Sequence, residues 1–293
     1  MKRTVFRNRW LPYGLVAPQL AITVVFFFWP AFDSLRLSLY RASPFGDRLI
    51  FIGLGNFQRL LADPAYFRSA ATSLVFSFAV TFLGLALALL LASLANAKIR
   101  GLAVYRTLLL WPYGIAPAVA GVIWLFVFHP SFGILIWLLS FLTAYQFNWF
   151  LKGWVALVLL VVAAVWKQFG YNLAFYLAGL QAIPGSVLEA ASVDGAGPIR
   201  KFFAITFPLL SPVTFFLFTL NMTFAFFDSF GLVHSVTQGG PGDATSILVY
   251  RAWKDGFEGL QLGLSAAQSV ILMVLVIALT ALQFRYAEKR VTY

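Results

Sequence analysis

Cysteine is absent from the 293 residues, which excludes a disulfide framework, a thiolate metal site and a thiol nucleophile. Histidine occurs only at His129 and His234, and neither has a second histidine or a carboxylate at metal-ligand spacing. The patterns G-x-x-x-x-G-K-[ST], G-x-S-x-G and H-E-x-x-H are all missing. Gly195-Ala196-Gly197 stands near Lys201, but the spacing is wrong and no Ser or Thr follows the lysine. The chain is therefore expected not to be an enzyme and to bind no cofactor of its own. Any ATP and Mg spent on its behalf must be bound by another polypeptide. No internal repeat, low-complexity tract or soluble domain is present, and charged residues make up only 11% of the chain.

What fills the chain instead is apolar. Hydrophobic residues are 61% of the total, and the mean hydropathy is +0.86, values that place most of the chain in lipid. A bilayer core takes about 20 apolar residues as a helix. Six stretches qualify, at 11–32, 69–95, 107–128, 154–180, 209–230 and 262–284. Residues 1–10 carry Lys2, Arg3, Arg7 and Arg9, as a signal peptide would. The apolar run that follows is long and lacks a small-residue cleavage site, so it is expected to stay as the first span. The net charge of +11 does not point to nucleic acid, because the basic residues sit at the ends of apolar runs. Counting from an inside N-terminus, 12 basic residues fall on short inner segments, among them Lys98, Arg100, Arg106, Arg285, Lys289 and Arg290. Eight are spread over longer outer loops. That density predicts both termini, 1–10 and 285–293, in the cytoplasm, and the 184–208 loop with them.

Several spans carry features that interrupt them. Pro112 and Pro117 should bend the third, since each removes a backbone hydrogen bond and clashes with the turn before it. Trp166-Lys167-Gln168 divides the fourth near its middle, while the fifth holds Asn221 and ends at Asp228. The run from Ile134 to Leu142 is too short to span and reads as re-entrant or interfacial. Pro44-Phe45-Gly46 and Thr237-Gln238-Gly239-Gly240-Pro241-Gly242 read as loop and tight turn.

The segment 184–208 is the polar interlude between spans four and five. Ser186 and Glu189 stand at capping-box spacing, so a helix is expected to begin after Ser186. It should stop near Asp194-Gly195, where glycine tolerates the left-handed closing conformation. Gly197-Pro198 should open a second short helix, with proline where its missing N–H is harmless. Glu189-Ala190-Ala191, Asp194-Gly195-Ala196, Ile205 and Pro208 together resemble the EAA loop of ABC-importer membrane subunits. The family usually has leucine before the proline, and here the residue is Phe207. Gly53-Leu54-Gly55-Asn56-Phe57 and the Gly239-Gly240-Pro241 turn are similar to the sugar-type branch of that family, and the resemblance runs end to end.

The resemblance implies an all-α membrane protein of six transmembrane helices with the MetI-like permease fold. It implies a transmembrane permease paired with a second permease, two ABC ATPase subunits and an extracytoplasmic solute-binding protein. The solute would be sn-glycerol-3-phosphate or a related glycerophosphodiester, the alternative being an oligosaccharide or polyol. Glu189, Ala190, Ala191, Asp194, Gly195 and Ala196 would form the ATPase-coupling helix, with the two alanines keeping one face small for docking. A lysine within a span must face protein or water, which makes Lys167, with Gln168, Asn172, Asn221 and Asp228, the candidate solute pathway. Lys167 would find a carboxylate, a phosphorylated solute, or backbone carbonyls freed near Gly170. An ion-coupled secondary transporter is the main competing reading, although one lysine and one aspartate make a thin proton relay.

Overall fold

The computed structural model describes residues 10–43, 48–96, 107–142 and 148–287. Lys2, Arg3, Arg7, Arg9, Pro44-Phe45-Gly46, Lys98, Arg100, Arg106, Lys289 and Arg290 lie outside the described residues. Four helices are long and apolar enough to cross a bilayer: Leu11–Leu37, Pro64–Ala95, Gly153–Ala182 and Leu262–Arg285. Two further pairs are bent: Thr107–Gly114 with Pro117–Val127 by 110°, and Pro198–Leu209 with Ser211–Asp228 by 66°. Counting each pair once gives six spans. The first span runs on to Leu37 and the second starts at Pro64, so both are longer than their apolar cores predicted.

The chain divides into two compact units. One comprises the residues up to Asp63 together with Ala252–Ile271. Its long first helix passes through a π-helical turn at Val24–Phe28 and buries none of its residues. A short antiparallel hairpin follows, Tyr40–Ala42 against Leu49–Phe51, with Arg41 opposite Ile50. The helix Gly55–Leu61 is fixed to it by the buried Asn56, whose Nδ2 donates to the carbonyls of Ser38 and Tyr40, each at 2.9 Å.

The other unit comprises Pro64–Arg251 and the residues from Leu272 on. Gly84, Ala88 and Ala92 place a small residue at every fourth position of the second span, which lets the fourth span approach closely. Phe169, Leu173, Tyr176, Leu177 and Leu180 pack there against Leu210 and Leu217 of the fifth span. Gly170 lets the third span approach in the same way, because a Cβ at that position would collide with the Leu109 carbonyl oxygen. The fourth span is a continuous helix, so Trp166-Lys167-Gln168 does not divide it. The tight turn expected at 237–242 is present, with positive φ at Gln238, Gly239 and Gly242, and lies within a longer folded region. That region holds the helices Phe230–Val236 and Leu248–Trp253, the latter continued by a π-helical turn at Lys254–Glu258.

Spans four and five are locked by two asparagines that sequence reasoning had assigned to the pathway. Asn172 Nδ2 donates to Asn221 Oδ1 at 3.0 Å, and Asn221 Nδ2 donates to Asn172 Oδ1 at 2.7 Å. Asn221 Nδ2 also donates to the Leu217 carbonyl, and both residues are wholly buried. A buried amide without a partner costs about 1–3 kcal/mol, whereas removing both partners together costs less. Asn221→Leu should therefore lower the melting temperature of the purified protein, and Asn172→Leu added to it should recover part of the loss. A double variant less stable than both single variants would contradict this pairing.

Candidate functional site

A cavity of about 570 Å³ opens between spans three, four and five. Its wall is built from the break in the third span. Trp111–Gly114 is a 3-10 turn, Ile115 and Ala116 are extended, and the helix resumes at Pro117. In a continuous helix the carbonyl of Tyr113 would accept from the N–H of residue 117, but proline has none. That orphaned carbonyl is met by Lys167, whose Nζ donates to it at 2.8 Å. The acceptor for Lys167 is thus not a carbonyl near Gly170, since the fourth helix keeps its own ladder. The ammonium also lies 5.2 Å from the centroid of the Tyr113 ring, a cation–π distance. Tyr113 stacks in turn on Tyr171, with centroids 4.8 Å apart.

Lys167 is only 6% exposed, yet it lines the cavity with Gln168, Tyr171, Phe224 and Asp228. An ammonium has three donors, and the Tyr113 carbonyl occupies one. Asp228 closes the π-helical turn Phe224–Asp228 and faces the same cavity without an ion pair to Lys167. The structure therefore brings together Lys167, Gln168 and Asp228. It removes Asn172 and Asn221, which spend their polar atoms on each other and do not line the space. Tyr113 and Tyr171 were missed by sequence reasoning. The pair Pro117 and Tyr113, four apart, was the signal for the first.

The 184–208 segment forms a second site. Its helix is Gly185–Val193, starting one residue before Ser186. Pro184 is the N-cap, and no side-chain cap is made, because Ser186 already lies inside the first turn. The C-terminal end closes as expected. Gly195 sits at φ +77, its N–H donates to the Ser192 carbonyl, and the Ala196 N–H donates to the Ala191 carbonyl at 2.9 Å. These two bonds make a Schellman motif. Pro198 then opens the next helix. Lys201 Nζ donates to Ser192 Oγ, tying the two arms together.

Glu189, Ala190, Asp194 and Gly195 are exposed. Ala191 is buried at 6%, so its small size serves packing within the chain rather than an outer docking face. Large apolar side chains face outward at the bend beside these polar ones: Val193 is 87% exposed, Ile199 75% and Phe203 66%.

The described residues thus hold apolar spans, two of them broken, a cavity lined by Lys167, and a bend that exposes Val193, Ile199 and Phe203. The chain belongs to the family described as binding-protein-dependent transport system inner membrane component, which matches residues 115–293. Membership makes it a non-catalytic inner-membrane subunit of an ABC importer. It is 52% identical over 295 residues to the sn-glycerol-3-phosphate transport system permease protein UgpA of Rhizobium meliloti (strain 1021), covering 100% of both chains. It is 50% identical over 291 residues to the protein of the same name from Escherichia coli O157:H7, covering 99% of this chain and 98% of that one. The fold is similar to that of a bacterial ABC transporter involved in import of the acidic polysaccharide alginate. There the TM-score is 0.81 at 19% identity, over 97% of this chain and 96% of that one. A second solved structure is bacterial alginate ABC transporter in complex with alginate pentasaccharide-bound periplasmic protein. It matches with TM-score 0.81 at 18% identity, over 96% and 94% of the two chains.

Proposed function

We propose that this chain is one of two permeases lining the route of sn-glycerol-3-phosphate, or a related glycerophosphodiester, across the inner membrane. A separate pair of ATPase subunits drives it, and an extracytoplasmic solute-binding protein delivers the solute. Both termini and the 184–208 segment lie on the cytoplasmic face. The helix 185–193 docks on an ATPase, and Val193 and Ile199 enter its groove. The exposure of these two apolar side chains, with Phe203 beside them in sequence, carries the reading, because large apolar groups left bare at 87% and 75% gain by burial. The names of relatives about half identical in sequence support the solute, and the lysine in the cavity supports an anionic one.

Co-purification tests the docking. Burying a valine is worth about 1.5–3 kcal/mol, so Val193→Asp should cut recovery of the ATPase roughly tenfold or more while the subunit stays in the membrane. An ATPase recovered in full with that variant would refute the docking role. An unsubstituted protein that never retains an ATPase would refute it as well.

A further inference from the structure

The unit formed by residues up to Asp63 and Ala252–Ile271 contains a cavity of about 270 Å³ that the importer reading leaves unused. Arg41 of the hairpin and Arg59 of the helix Gly55–Leu61 both line it. Asn56 holds their two elements together through its bonds to the Ser38 and Tyr40 carbonyls, so the backbones that carry the arginines keep a fixed relation. Among the described residues, neither guanidinium has a carboxylate within ion-pair distance, and no carboxylate lines the cavity. The wall also includes Gly259, Leu260 and Gln261, along with apolar Ile52 and Leu264. Leu260 stands at φ +51, a region costly for a branched side chain, so the surroundings hold this corner in place. Gln261 donates its backbone N–H to the Asp255 carbonyl at 2.9 Å, while its side-chain Oε1 is buried and meets no donor.

Arg41 and Arg59 are both exposed, so their guanidiniums are open to an oxyanion, which their planar donors match. A buried amide oxygen without a partner calls for a donor such as a hydroxyl. We propose that this cavity is a second solute site, for a hydroxylated phosphate ester. Arg41 and Arg59 take the phosphate, and Gln261 Oε1 accepts from a hydroxyl. The site goes beyond the proposed function and shares no residue with the Lys167 cavity.

Arginine-directed labelling by phenylglyoxal, read peptide by peptide by mass spectrometry on the intact complex in lipid, tests it. The probes are inorganic phosphate, sn-glycerol 3-phosphate and glycerol. Both phosphates should slow labelling of Arg41 and Arg59 several-fold and leave Arg200 unchanged, while glycerol does nothing. The ester should act at about a tenfold lower concentration than inorganic phosphate, and Gln261→Leu should abolish that advantage. Lys167→Gln should leave the protection intact. Unprotected arginines, or protection by glycerol alone, would overturn the site, and equal potency of the two phosphates would overturn the role of Gln261. Protection by inorganic phosphate requires no assumption about what the importer carries, so this test can fail or succeed independently of the proposed function.

Discussion

Gly195→Asp should leave the protein in the membrane and abolish most solute uptake. Gly195 closes the 185–193 helix at φ +77, where a residue with a Cβ is strained by about 1 kcal/mol or more. The new carboxylate would also face the negative end of the helix, adding roughly 0.3–1 kcal/mol. Both costs fall on the Schellman closure that sets the angle between Val193 and Ile199. A loss of about 1.4 kcal/mol in docking is tenfold in affinity, so the variant should lose its ATPase or hydrolyse ATP without transport. Gly197→Ala is the control. Gly197 has φ −67 and open space around a Cβ, so alanine there should transport normally. Normal uptake by Gly195→Asp would contradict the coupling role.

Lys167→Gln should reduce uptake of a phosphorylated solute roughly 10- to 100-fold, taking a hydrogen bond to a charged group as about 1.5–3 kcal/mol. Assembly and basal ATP hydrolysis should persist, because glutamine still carries a donor for the Tyr113 carbonyl that Lys167 now meets at 2.8 Å. Lys167→Arg keeps the charge and should retain more uptake than Lys167→Gln. If the complex fails to assemble with glutamine, the lysine serves the broken third span alone. If uptake is unchanged, the charge does not meet the solute.

Much of this was legible locally. Gly195, Pro198 and the pair Pro112 and Pro117 act through backbone rules that need no neighbour, and each end, start and bend lies where those rules put it. Ser186 misled because a capping box is a short pattern, and the extended Pro184 had already opened the helix. The candidate pathway was legible only in part. Pro117 leaves the Tyr113 carbonyl without a donor, but nothing in the sequence says that the donor is a lysine 54 residues beyond Tyr113. Asn172 and Asn221 read as polar groups awaiting a solute, and only their reciprocal bonds reveal that each satisfies the other. The 66° bend near Leu210 left no sign stronger than the prolines at 208 and 212.

The most direct test is ATP hydrolysis by the complete complex in lipid, measured as binding protein loaded with different solutes is added. Binding protein loaded with sn-glycerol-3-phosphate should stimulate hydrolysis and drive the solute inward, with no need of an ion gradient. Uptake that continues without the ATPase and collapses with the ion gradient would contradict the account.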